Sequence, residues 1–330
     1  MKSYALAGAG LGLVAAIAFA SATTGPLLIR FLLLFITPLP IALAGLGWGW
    51  RAGALAGLVG TAIVMLALNP LVAAAFAVTQ VVPVVALTYF AMLSRPLSES
   101  EAPLDDDGSG VEWYPVGRLV LWAAAMAAVM ATASMVLLAG DTENLRKTLG
   151  EFMQAALASN VPEAQGQIGE AELTALTEIA LAVLPAASAM SWIASLLFNL
   201  WLAGRITLAS GQLGRPWPDL AAISYPHGTP LLFGAVLIAS MFSGVPGLAA
   251  SAAGGSLFIA YLLLGLAVVH FMTRTKPWRP FALWALYATL LIINVWMAIP
   301  IVVLGLVETA FHLRGRTNPP PPPPHHQNHI

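Results

Sequence analysis

The chain has 330 residues, of which 59% are hydrophobic and only 9% charged, with a net charge of −1 and a mean hydropathy of +0.83. Soluble domains carry about 25% charged residues, so a chain this poor in charge needs lipid as its solvent, and its bulk charge gives no affinity for nucleic acid. The absence of cysteine excludes disulfides, thiolate nucleophiles and cysteine metal sites.

The N-terminus imitates a secretory leader: Lys2, an apolar run from Tyr4 to Phe19, then the small residues Ala20, Ser21 and Ala22. Leader cores are about 7–15 residues long and precede soluble protein. This run is longer and further apolar runs follow, so it reads as a retained first span. Spans of about 20 apolar residues fall near 4–22, 27–46, 52–68, 71–93, 117–139, 180–207, 230–247, 251–272 and 281–306. Their unbroken apolarity excludes barrel strands, which alternate over about ten residues. The expected fold is all-α, a polytopic transmembrane helix bundle of about nine spans, with eight and ten as the bounds. Residues 1–210 form its main part, 211–315 carry additional spans, and 316–330 form a tail.

Between Pro38 and Gly60 two spans are joined by almost no chain. Pro38 and Pro40 lead the first, Gly47-Trp48-Gly49-Trp50-Arg51 interrupts it, and glycines recur at Gly45, Gly49, Gly53, Gly57 and Gly60. Lys and Arg in short loops mark the cytoplasmic side. With the N-terminus inside, Lys2, Arg51, Arg95, Arg118, Arg205, Arg215, Arg274, Lys276 and Arg279 gather there, and Arg30, Arg146 and Lys147 lie outside. Residues 281–313, with Asn294 and Pro300 inside them, form either one long kinked span or a tight hairpin. The hairpin would return Arg314 and Arg316 to the cytoplasm and is favoured by the charge count, although 33 residues are short for two full crossings.

Two loops and the tail differ from the rest. Residues 94–116 carry Glu99, Glu101, Asp105, Asp106 and Asp107 among Ser, Pro and Gly, and read as a disordered cytoplasmic connector. They lack the spaced ligands of a calcium loop. In the outer loop 141–178, Leu145, Leu149, Phe152, Met153 and Leu157 recur at helical spacing, which predicts an amphipathic surface helix. A second helix is expected to run from Glu170 into the sixth span. Pro319–Pro324 favours extended polyproline II, and His325, His326 and His329 are too loosely held for a specific metal site. No metal and no cofactor is expected.

Small residues permit close helix packing in lipid. Gly8, Gly12, Ala16 and Ala20 form one such face, Ala123, Ala127 and Ala131 a second, and Gly53, Gly57 and Gly60 a third. Each reads as internal packing, with a docking face for another subunit as the alternative. Polar groups at membrane depth need partners: Ser188, Ser191, Ser195 and Asn199 make a stripe, Thr79 and Gln80 precede Pro83, and Asn294 marks the last segment. Interhelical hydrogen bonding or a pocket lining explains them. Arg30 either snorkels to the headgroups or meets an anionic ligand. Glu308 lies near His312 and Arg314, and His270 near the end of its span, but no proton relay and no hydrolase, zinc-protease or P-loop motif is evident. An intramembrane enzyme is therefore the weakest class.

The pattern Pro40-x4-Gly45-x3-Gly49-x3-Gly53-x3-Gly57 resembles the substrate-binding S components of energy-coupling-factor transporters, with Gly49-Trp50 where their turn usually has Gly-Pro. The whole chain more closely resembles the YybS-like uncharacterised bacterial membrane proteins, a domain of unknown function. Leu304-Gly305-Leu306-Val307-Glu308, followed by Phe311 and Arg314, is similar to that family's ending, with Glu308 where an Asp is usual. The S-component resemblance implies an S-component-like six-helix N-terminal part with an outward-opening pocket, drawing on Arg30, Gln80, Ser191, Ser195 and Asn199. It also implies that Gly8, Gly12, Ala16 and Ala20 meet a membrane coupling subunit.

The expectation is a transporter-like small-molecule-binding subunit of the bacterial cytoplasmic membrane, with its N-terminus inside. A non-transporting scaffold for cell-envelope or division machinery is the alternative, with envelope-assembly proteins as partners.

Overall fold

The computed structural model describes residues 2–24, 26–97, 110–160, 169–293 and 295–314. The acidic run Glu99–Asp107, Asn294, Arg316 and the Pro/His tail lie outside them. The protein is an all-α membrane helix bundle. Its helices are α1 (Lys2–Ser21), α2 (Leu27–Ile36), α3 (Pro38–Trp48), α4 (Trp50–Ala67), α5 (Pro70–Phe76) and α6 (Val82–Ala91). A π-helical turn, Ala77–Val81, links the last two. A short antiparallel ribbon follows, β1 (Ser94–Pro96) with β2 (Val111–Trp113). Then come α7 (Val116–Ala139), α8 (Thr142–Asn160), α9 (Glu170–Ala209), α10 (Thr229–Ala239), α11 (Gly244–Met272), α12 (Arg279–Ile293) and α13 (Val295–Phe311).

Among the described residues seven stretches are long and apolar enough to cross a bilayer: α1, α2 with α3, α4, α5 through α6, α7, α9 and α11. Large apolar side chains face outward on them, Leu66, Leu71 and Leu137 being 80–86% exposed, as lipid-facing positions require. The spans expected at 230–247 and 251–272 are divided differently. α10 stops at Ala239 and α11 starts at Gly244, where φ is 79° and only glycine is unstrained. α10 is a short apolar helix, and α12 and α13 are apolar helices on either side of Asn294, which lies outside the described residues.

The chain forms two compact units, one from residues 1–218 and 234–259, the other from 219–233 and 260 onward. A single boundary near residue 210 was expected from sequence, but α11 contributes to both units. In the first unit small residues set the contacts. A methyl group on Gly12 would overlap the Ala56 carbonyl, and one on Gly8 would lie 3.0 Å from the Ala52 carbonyl, so α1 runs parallel to α4 at close range. Gly53 meets Gly45 across the hairpin whose one-residue turn is Gly49, at φ 89°. Gly57 receives Val81, and Gly60 lies against Gly12 and Phe76. Ala16 is buried, as are Ala123, Ala127 and Ala131. The glycine and alanine faces are thus covered by the protein's own helices.

α9 holds 40 residues, about 60 Å at 1.5 Å each and twice the hydrocarbon thickness. Its first turns therefore project beyond the span. There α8 packs on it through Leu145 and Leu149 against Leu181 and Leu184. Arg146 joins the pair, bonding Glu143 on its own helix and Glu178 on α9 at 2.6 Å, and the Glu178 bond raises its already high pKa. Phe152, expected on the buried face, is 69% exposed.

In the second unit Gly265 on α11 and Gly305 on α13 face each other. A methyl on Gly265 would overlap the Ile301 carbonyl, and one on Gly305 would press on the Tyr261 carbonyl, each four residues before the opposing glycine. The contact steps forward along α11 from Tyr261 to Gly265 as it steps back along α13 from Gly305 to Ile301. Arg314 also lies over Phe271 near the end of α11. Residues 279–293 and 295–311 are helical on either side of Asn294.

Candidate functional site

The first unit has a buried polar layer where the second span breaks. Neither Pro38 nor Pro40 has an N–H to donate, so the carbonyls of Leu34 and Ile36 lose their helical partners and the helix is interrupted at Thr37. Thr37, fully buried, turns its hydroxyl back to the Leu33 carbonyl at 2.7 Å. The Phe35 carbonyl is taken by α9: Ser195 Oγ donates to it at 2.7 Å and Asn199 Nδ2 at 2.6 Å. Asn199 Nδ2 also donates to the Ser195 carbonyl at 2.7 Å. These acceptors fix which end of the amide is nitrogen. Asn199 Oδ1 is then left buried and without a partner among the described residues.

Gln80 belongs to the same depth. Gly45 on α3 packs on Thr88 of α6, and Gly47 packs on Thr207 of α9. Counting back eight residues, about 12 Å along each helix, leads from Gly45 to Thr37 and from Thr88 to Gln80. Gln80 sits in the π-helical turn, which Pro83 favours because it cannot donate to the Thr79 carbonyl. Its side chain is 2% exposed, its amide nitrogen reaches only Thr79 Oγ1 at 3.4 Å, and its Oε1 has no partner. Phe35–Thr37 fall near the middle of the 22-residue span Leu27–Trp48. A broken helix, a π-helical turn and two buried orphan acceptors therefore share the mid-membrane level.

Arg30 and Ser191 do not join this layer. Arg30 is exposed, and its Nε bonds the Ala22 carbonyl at 3.1 Å at the turn between α1 and α2. Ser191 is exposed, because eight residues carry it about 80° around the helix from Asn199. Sequence reasoning missed Thr37 and the Phe35 carbonyl; the Thr37-Pro38-x-Pro40 pattern was the available signal. Farther out, Arg146, Gly150, Leu173, Thr174, Thr177 and Glu178 line an open groove of about 190 Å³ between α8 and α9.

The second unit holds a denser polar cluster. Arg314 Nε bonds Glu308 at 2.8 Å, both side chains being at most 10% exposed, and its other nitrogens donate to the carbonyls of Ala221 and Ile223. Asp219, at the start of that turn, is bonded by Arg274 at 2.8 Å, which holds its carboxyl below the ordinary range. Tyr225 donates to the Ala260 carbonyl at 2.7 Å, and Tyr261 to Thr229 at 2.8 Å. Burial pushes the Tyr225 phenol far up, so it stays a neutral donor. Every ionised group at this centre has a partner of opposite sign, so the cluster acts as a clasp that ties the end of α13 to the 219–225 segment. His227 and His312 rings lie 4.8 Å apart beside it, and His270 bonds Tyr287 at 2.8 Å.

Apolar spans of bilayer length and helix breaks with buried polar groups define a multi-pass integral membrane protein. Residues 13–309, most of the chain, match the family model described as Predicted membrane protein (DUF2232). The chain belongs to that family, in keeping with the YybS-like resemblance of its ending. No curated protein and no solved structure matches it.

Proposed function

We propose that the protein is a transporter-like subunit of the bacterial cytoplasmic membrane that binds a small polar molecule in the buried layer around Asn199. The observation that carries this reading is Asn199 Oδ1, fully buried, fixed in identity by its nitrogen's bonds and lacking a donor. An unsatisfied polar group in hydrocarbon costs several kcal/mol, and membrane transporters place their sites at broken helices near the midplane. Both orphan groups are acceptors, so the solute presents a donor. The S-component resemblance of the Gly49 hairpin agrees with this role, and the solute is bound without being chemically transformed. The N-terminus lies in the cytoplasm, because Arg51, Arg95, Arg118, Arg205 and Arg215 belong to the end of the first unit that holds the Gly49 turn.

Envelope scaffolding is less well supported, since the small-residue faces that would dock a partner pack internally. The test is a thermal-shift and binding screen of the full-length protein with small metabolites, repeated on Asn199→Leu. A hit that Asn199→Leu abolishes is expected. Failure across a broad panel, together with a dry, closed interior in an experimental structure, would sink the proposal. Affinity capture separates the rivals: ATPase and coupling subunits favour transport, envelope-assembly proteins favour scaffolding.

A further inference from the structure

The end of the first unit that holds the Gly49 turn and most of its arginines also carries a cluster of Trp and Tyr side chains. Trp50 stacks edge-on to Tyr89, Phe90 packs on Tyr114 and Trp122, and Trp122 bonds the Tyr114 hydroxyl at 3.0 Å. Trp and Tyr concentrate at the headgroup level of membranes, so this belt marks where the bilayer surface crosses the protein. Arg51 and Arg205 lie over Trp50 and Trp217.

Arg215 differs from these. It leaves the 210–218 segment and lies over the Trp113 ring of β2, 5.5 Å from the centroid. One nitrogen donates to the Ala91 carbonyl at the end of α6, at 2.8 Å. Its Nε is buried with no partner, and so is the indole Nε1 of Trp113. The nearest carboxylate by register is Glu112, which is bonded by Arg95 and, as the neighbour of Trp113 in the strand, points to the opposite face of the ribbon. Desolvation lowers the Arg215 pKa, and no acid among the described residues opposes it. A guanidinium partly withdrawn from water, with no counter-charge among the described residues, and two orphan N–H donors on a ring and a guanidinium in contact call for an anion rich in acceptors.

We propose that Arg215 and Trp113 form a binding site for a phosphate group, supplied by the headgroup of an anionic phospholipid. Arg215 supplies the charge and a donor, and the Trp113 indole supplies a second donor while its ring lies against the guanidinium. A carbonyl or a water could satisfy a donor but would leave the charge unmatched. The inner leaflet is the anionic one, which agrees with the arginine-rich end facing it. Because the site lies at the headgroup level, it is separate from the Asn199 layer and independent of the transport reading.

The test uses the full-length protein in native mass spectrometry with phosphatidylglycerol or phosphatidylcholine, and in thermal denaturation with inorganic phosphate. One phosphatidylglycerol should survive activation that strips phosphatidylcholine. Arg215→Gln should weaken its retention about tenfold or more, as losing a charge-assisted bond does. Trp113→Phe keeps the ring under Arg215 and removes only the N–H, so it decides the matter if Arg215→Gln does not fold; it should weaken retention several-fold. Phosphate stabilisation that depends on Arg215, without lipid selectivity, would support the same chemistry with a soluble source. Lipid retention unchanged in the folded variants, with no Arg215-dependent effect of phosphate, would overturn the site.

Discussion

Glu308→Gln keeps the size of a side chain that is 7% exposed and removes the charge facing Arg314 at 2.8 Å. The guanidinium, itself 10% exposed, then loses the carboxylate bonded to its Nε, while its other nitrogens still reach the Ala221 and Ile223 carbonyls. Breaking a buried pair from one side costs about 3–5 kcal/mol. The two carbonyls, and the Phe271 ring 5.9 Å from the guanidinium carbon, still hold part of the cation. The lower end, about 3 kcal/mol, is therefore expected, roughly a hundredfold in the local opening equilibrium. Hydrogen exchange reads it directly at Ala221 and Ala222, whose amides are tied to Asp219. Their exchange should accelerate about a hundredfold, with the amides of α1 and α4 unchanged. Arg314→Lys should open the same turn, because an ammonium cannot serve the carboxylate and both carbonyls with a planar fork. Exchange in Glu308→Gln within threefold of the native rate would refute the clasp.

Four other outcomes are expected. Gly12→Leu should lose the monodisperse peak in size exclusion, since overpacking costs about 1–3 kcal/mol or more and the obstacle is the Ala56 backbone; Gly10→Leu, with nothing within 4 Å, should behave as native. Gly57→Leu should disrupt folding in the same way through Val81, and an unchanged expression and elution profile would count against the glycine hairpin as the centre of the fold. Ser195→Ala and Asn199→Ala, which share the Phe35 carbonyl, should be non-additive by about 0.5 kcal/mol or more in unfolding measurements, whereas simple additivity would show the bonds to be independent. Asp219 is held below the ordinary carboxylate range of about 3.9 by Arg274, so its stabilisation is present above that range and fades as pH falls through the lowered value. Acid titration of the turn's exchange should show this step in the native protein and lose it in Arg274→Gln; an unchanged step would assign it to another group.

The local features of this fold were legible because they are written in adjacent residues. Run length placed the spans, the Trp-Gly-Trp-Arg sequence placed a turn at Gly49, and leucines at helical spacing placed α8. What escaped depends on partners far away in sequence. Gly265 and Gly305 are forty residues apart, and only the fold brings them into contact. Arg314 is likewise held beside the 219–225 segment by its buried pair with Glu308 and by the carbonyls of Ala221 and Ile223, which no local pattern announces. The Ser-to-Asn stripe was legible as chemistry but not as a site. Helical drift turns Ser191 outward, while Ser195 and Asn199 remain where the proline break leaves a carbonyl to capture.

That break connects the fold to the proposed function. A proline pair in the middle of a span removes two backbone donors at a depth where water does not replace them. Were the layer only structural, the cheapest remedy would be donors placed at the break, and Ser195 and the Asn199 nitrogen serve the Phe35 carbonyl, between the two freed ones, in this way. Two further acceptors, Gln80 Oε1 and Asn199 Oδ1, are brought to the same level and left without donors. Leucine at either position would remove that penalty and still fill the space. Retaining amides there is reasonable only if something that donates hydrogen bonds occupies the layer for part of the working cycle. A bound solute meets that requirement, and it predicts that Asn199→Leu stabilises the empty protein while abolishing its ligand response.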